Sequence, residues 1–214
     1  MDRTKLPENY RLKFVVDFRN SGKIGIAMNI FTLVLAAVMI FFAHLAVPFN
    51  LFLGEGHSWQ EQLMVPVSIV LGMFAYGHLR ELCRLACFRA FSPQKPKYHF
   101  RLFSPLCSLP GYYFTRTQYL ITVAVPWTVM ILLTGGVAFS LQGAWFWAFY
   151  LVFVYHSITT IKELYVFTSI KDRPDDVYIM DAGMEIKCYE EFDPAEDTKW
   201  HREERLKRKK NRRF

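Results

Sequence analysis

The chain has 214 residues, of which 52% are hydrophobic, 17% aromatic and only 21% charged. That composition excludes disorder over most of the chain, and 11 Gly and 10 Pro without a period exclude a collagen-like or low-complexity fibre. Of the net charge of +7, +6 comes from the last fourteen residues, where eight Arg or Lys stand against Glu203 and Glu204. The body is therefore nearly neutral, and the basic balance is no argument for a nucleic-acid-binding domain.

Taken in chain order, residues 1–23 form a polar N-terminal segment in which 10–18 reads as extended chain. Four apolar stretches follow, at about 24–47, 64–91, 119–141 and 144–170. Each is long enough to cross a hydrocarbon layer of about 30 Å at about 1.5 Å per helical residue. The first lies too far in and is too long for a cleaved signal peptide. The second begins apolar and continues as an amphipathic stretch from Arg80 to Phe91. The third contains Pro126 and the Gly135–Gly136 pair, breakers that membranes tolerate where neighbouring helices satisfy the backbone. The fourth carries His156, Lys162 and Glu163 in its second half.

Between and after these stretches the soluble pieces are short. KYHFRLF at 97–103 alternates like a strand, and 177–189 reads as a hairpin with Gly183 supplying the positive φ of the turn. Residues 171–190 hold that hairpin, and 191–214 form a basic tail in which 199–213 reads as a helix or a disordered segment. The expected fold class is thus an all-α membrane protein of four transmembrane helices with a small cytoplasmic β element.

Loop charges orient it. Lys and Arg crowd the segment before the first span, the segment after the second and the tail; the loop 48–63 has none, and the turn at Gln142–Gly143 is uncharged. The positive-inside rule places both termini in the cytoplasm, as expected for a multi-pass protein of the inner (cytoplasmic) membrane.

The four cysteines, Cys83, Cys87, Cys107 and Cys188, form neither a pair of CxxC knuckles nor a dense disulfide framework. Cys83 and Cys87, one helical turn apart, read as buried thiols before they read as ligands. Trp127, Trp145, Trp147, Tyr112, Tyr113 and Tyr119 read as an aromatic belt, and His44 and His57 as solvated or interfacial side chains on the outer side.

Ionisable groups inside apolar stretches are expensive and are functional candidates by default. Two clusters stand out: His78-Leu79-Arg80-Glu81-Leu82-Cys83-Arg84 and His156 through Glu163. Glu81 and Glu163 lie at the same level, roughly 25–29 Å from the outer ends of their helices. His78 and His156 share a deeper level.

LPENY near the N-terminus, the helix bearing Arg80-Glu81-Leu82-Cys83-Arg84, KYHF, TQYLITVAVP, the late acid Glu163 and the DAG hairpin follow one another in an order that resembles a family of small bacterial membrane zincin peptidases. The resemblance covers roughly residues 6 to 190. It implies a zinc held by a His-Glu-x-x-His helix and a late acidic residue, with the motif's Glu activating water. Here that motif reads Arg-Glu-x-x-Arg: Glu81 is present, and Arg80 and Arg84 stand at both His positions.

Guanidinium has no lone pair to offer a metal. The expectation is therefore a salt-bridge cluster of Arg80, Glu81, Arg84 and Glu163 at a former metal site, in a non-catalytic structural or partner-binding subunit without a cofactor. The alternative is a zinc metallopeptidase using a shifted set, His78, Glu81, His156 and Glu163, with Glu81 catalytic. Intramembrane His78 and His156 also read simply as polar contacts between helices. Arg205, Lys207, Arg208, Lys209, Lys210, Arg212 and Arg213 read as contacts to anionic lipid, with ribosomal RNA or an acidic partner as the other candidates. Another membrane protein and a second copy of the chain complete the expected partners.

Overall fold

The computed structural model describes residues 3–17, 22–53, 58–102 and 104–191. The basic tail and His57 lie outside them. The chain runs β1 (Tyr10–Asp17), α1 (Gly22–Ala46), the short α2 (Asn50–Leu53), α3 (Trp59–Phe91), β2 (Lys97–His99), β3 (Leu106–Ser108), β4 (Tyr113–Thr115), α4 (Arg116–Ser140), α5 (Gly143–Lys171), β5 (Tyr178–Asp181) and β6 (Glu185–Glu191). It is mostly helical, and α1, α3, α4 and α5 are each long and apolar enough to cross a membrane.

Local signals set the helix ends. Thr115 caps α4, its hydroxyl accepting from the Gln118 N–H while the Gln118 side chain accepts from the Thr115 N–H. Gly143 enters α5 at φ 58°, which lets α4 and α5 join in a tight turn. Pro66 and Pro126 sit inside α3 and α4 without ending either. Where α3 and α5 pass, a Cβ on Gly72 would come within 2.8 Å of Val152 Cγ2, so a side chain there would push the helices apart.

Both halves of the expected β element are present, and more besides. β5 and β6 form the hairpin, with Gly183 at φ 88° in its turn. The stretch at 97–103 gives only the three-residue β2, which pairs with β3. The extended N-terminal segment is β1, and it pairs antiparallel with β6 from Tyr10↔Glu191 to Asp17↔Glu185. The result is a four-stranded antiparallel sheet in the order β1-β6-β5-β4. Because β1 precedes α1 and β6 follows α5, this pairing brings the two flanks of the helical region to one end of the bundle.

The core divides accordingly. At the sheet end, Phe88, Phe114, Tyr119, Ile170, Val177 and Ile179 pack under the strands. At the far end, Ala43, Ala138, Phe146, Trp147, Tyr150 and Val154 pack between α1, α4 and α5. This corrects the aromatic-belt reading in part. Trp127 is partly exposed, but Trp147, Tyr112 and Tyr119 are buried. Trp147 meets Phe49 edge-on at 4.8 Å. The thiols differ from expectation too, since Cys83 and Cys87 are only half-buried while Cys107 and Cys188 are fully buried; all four are free.

Candidate functional site

The charged residues of α3 lie beneath the sheet, at the end of the bundle where the strands meet the helices. Glu81 is 1% exposed, and both of its oxygens are engaged. Oε1 accepts from Arg80 Nη2 at 3.0 Å, and Oε2 accepts from the backbone N–H of Cys107 at 2.8 Å. That second bond ties the β2–β3 ribbon to α3. His78 adds a further tie, its Nδ1 sharing a hydrogen bond with the Tyr98 hydroxyl while its ring stacks on Phe100.

Arg80 links the two levels matched by sequence depth. Besides Glu81, it reaches Glu163 of α5, Nη1 to Oε1 at 3.7 Å. Tyr76, one turn earlier, completes this group. Its hydroxyl meets Thr159 Oγ1 at 2.9 Å and His156 Nδ1 at 3.1 Å, and Arg80 Nη1 stands 3.4 Å from it.

Arg84 goes elsewhere. The expected cluster placed it with Glu81 and Glu163, but its guanidinium pairs with Asp181 at the end of β5. Asp181 is fully buried. Its Oδ2 also takes the Tyr119 hydroxyl at 3.3 Å, and its Oδ1 takes the Gly183 N–H at 2.7 Å. Burial pushes its carboxyl above the usual carboxylate value, against the opposing pull of Arg84 and the Gly183 N–H. The hairpin seats close to β3 because residue 183 is glycine; a Cβ there would stand 2.8 Å from Leu106 Cδ2.

Sequence reasoning missed Asp181, and the signal was there to use. In β5 the side chains alternate, so Asp181 shares the inward face with the buried Ile179. A carboxylate on the apolar face of a strand demands a partner.

The shifted metal set is not assembled. His78 is held by Tyr98 and His156 by Tyr76, and among the described residues no three His, Cys, Asp or Glu converge as ligands. At the motif's own position the donor chemistry does not fit a zinc ion either. Arg80 and Arg84 supply cations, which offer a metal no lone pair, and each Glu81 oxygen already accepts one hydrogen bond. His44, expected on the outer side, accepts the Phe49 N–H through Nδ1 at 2.9 Å.

Beside these pairs lies a cavity of about 430 Å³, walled by α1, α3, α4, α5, the β2–β3 connection and the hairpin turn. No protein-family model matches the chain, and neither does a curated protein or a solved structure. The fold defines the class: a protein with four helices apt to span a membrane and a small antiparallel sheet at one end.

Proposed function

We propose that this is a four-span protein of the inner (cytoplasmic) membrane with both flanks of its helical region in the cytoplasm. We read it as a non-catalytic relative of the membrane zincin peptidases, acting as a structural or partner-binding subunit. The observation that carries this reading is the pairing of Arg84 with Asp181 and of Arg80 with Glu81 and Glu163. Permanently protonated guanidinium groups fill the seats that the resemblance gives to metal-binding imidazoles, and they counter the charge of the carboxylates that a metal would otherwise hold. A hydrolase of this type needs a Lewis acid and a free carboxylate beside it. Here the carboxylate is hydrogen-bonded on both oxygens.

Support for a partner comes from α1. Only 6% of its apolar window is buried inside the protein, against 56% for α5, so most of that helix is free to meet lipid or a span of another membrane protein. The positive-inside charge pattern supports the orientation, and the pairing of β1 with β6 agrees with it by requiring both flanks on one side of the bilayer. The basic tail, outside the described residues, adds attraction to anionic lipid of about 1 kcal/mol per cation near the surface.

Elemental analysis of the purified, detergent-solubilised protein tests the reading. We expect zinc far below one atom per chain, both for the natural sequence and after dialysis against zinc. The double substitution Arg80→His and Arg84→His serves as the positive control for recovered metal affinity. Stoichiometric zinc in the unaltered protein, retained through chelator washing, would overturn the proposal.

A further inference from the structure

The ion pairs form only part of the wall of the 430 Å³ cavity, and the rest of that wall points to a ligand. The volume lies within the range of sites for small organic ligands, roughly 300–1,000 Å³. Arg101, between β2 and β3, and Lys162, on α5, both line it and are both exposed. Neither makes an ion pair among the described residues. Arg80 and Arg84 also face the space, but Arg80 is paired with Glu81 and Glu163 and Arg84 with the buried Asp181, so the spare charge comes from Arg101 and Lys162. Of the carboxylates lining it, Glu81 is engaged on both oxygens and Glu163 through one. The cavity therefore presents spare positive charge.

α1 supplies an independent observation. Between Ile24 and Ala43 its only polar side chains are Asn29 and Thr32, one turn apart, and both line the cavity. The Thr32 hydroxyl donates to the Met28 carbonyl at 2.8 Å. The Asn29 amide makes no hydrogen bond among the described residues. An amide without a partner on a helix otherwise apolar enough to cross a bilayer is unfavourable in hydrocarbon. It becomes favourable beside a polar group at the same level.

The position of α1 gives the route. Its core contacts, through Ala36, Met39, Ile40 and Ala43, all lie in its second half. The first half, with Asn29 and Thr32, belongs to no core cluster. The cavity thus lies between a loosely held half-helix and the rest of the bundle, and Val123, Ile158 and Val166 make part of its wall apolar.

We infer that this cavity binds the headgroup of an anionic phospholipid. The phosphate sits against Arg101 and Lys162, Asn29 hydrogen-bonds to the headgroup, and the acyl chains leave past the first half of α1. Free phosphate would satisfy the cations but would leave Asn29 and the apolar wall unused, which is why the lipid is the better match. The inference rests on the reading of the protein as a binding rather than hydrolytic membrane protein.

The test uses the full chain in neutral detergent. Binding of phosphatidylglycerol, phosphatidylcholine and inorganic phosphate is followed by native mass spectrometry and by thermal shift. The parent is compared with Arg101→Gln/Lys162→Gln and with Asn29→Leu. The cation substitutions touch exposed side chains that make no ion pair among the described residues, so folding is expected to be retained, and the basic tail is the same in every sample. We expect phosphatidylglycerol to bind the double variant about ten-fold more weakly than the parent and Asn29→Leu several-fold more weakly. Phosphatidylcholine should bind the parent and the double variant equally. Equal affinity of the parent and double variant for phosphatidylglycerol would overturn the site. Inorganic phosphate that displaces the lipid at matched concentration would overturn the lipid as its ligand. Zinc is measured on the same preparation: zinc found with lipid binding intact sinks the non-catalytic reading alone, and zinc-free protein indifferent to Arg101 and Lys162 sinks the lipid site alone.

Discussion

Along α5 the bundle changes the way it holds itself together. Toward the start of the helix, Phe146, Trp147, Tyr150 and Phe153 pack in edge-to-face and stacked pairs against one another and against Phe49 and Phe139. Toward its end, His156, Thr159 and Glu163 meet Tyr76 and Arg80 of α3, and beyond them Arg84 of α3 holds Asp181 of the hairpin. One region relies on shape and dispersion, the other on charge and hydrogen bonds. Between spans lipid tails are as apolar as leucine, so apolar burial alone gives helices little reason to associate. The difference teaches that each region solves that problem separately: aromatic interdigitation at one end, ion pairs beneath a sheet at the other.

The comparison can be broken most forcefully at Asp181. Asp181→Asn leaves Arg84 buried without a counter-charge and should destabilise the protein by about 3–5 kcal/mol in detergent denaturation, whereas Asp181→Leu combined with Arg84→Met should recover most of that loss. If Asp181→Asn unfolds at the parental denaturant concentration, the charged end is not held by this pair. Trp147→Ala attacks the aromatic end, and a loss of roughly 3 kcal/mol is expected because Trp147 is fully buried. A shift under about 0.5 kcal/mol would mean that this packing relaxes around the gap.

Glu163→Gln sharpens the contrast within the charged end. Arg80 keeps Glu81 at 3.0 Å and loses only the longer 3.7 Å contact, so a loss of about 1 kcal/mol is expected. An unmoved melting temperature would confine the cluster to α3 and the sheet. The sheet also carries a pH signature. Burial pushes the Cys107 and Cys188 thiols up to about 12 from 9.0. Their raised values leave stability intact below pH about 9, where the unfolded thiols are protonated too, and withdraw it as pH climbs toward about 12. The stability read from equilibrium unfolding between those limits should fall steadily, and less so in Cys107→Ser/Cys188→Ser. The smallest effect belongs to Asp175, whose side chain is 83% exposed beside Arg116; Asp175→Asn should move the unfolding midpoint by no more than a few tenths of a kcal/mol.

Much of this was legible in the residues, and the exceptions share a cause. The four long helices announce themselves as long, predominantly apolar runs, and the hairpin announces itself through Asp181-Ala182-Gly183. The pairing of Arg80 with Glu163 follows from counting rise per residue along two helices. What stayed hidden is the lateral arrangement. Hydropathy places Trp147 and Tyr119 at a depth but cannot tell whether they face lipid or core, and here both are buried. Arg84 was matched with the acid nearest in depth on the spans, while its partner comes from a strand outside them. The segment at 10–18 reads as extended, but nothing local reveals that its hydrogen bonds go to residues 185–191. The residues of the basic tail lie beyond the described structure, so its reading stands on charge alone.

The union of β1 with β6 has a consequence for biogenesis. β1 emerges from the ribosome before α1, yet its mate is made only after α5. An insertion error that added or dropped one crossing would strand the two on opposite faces of the bilayer and leave both edges open. Where the long helices cross a bilayer, the sheet can close only if an even number of them do so between β1 and β6.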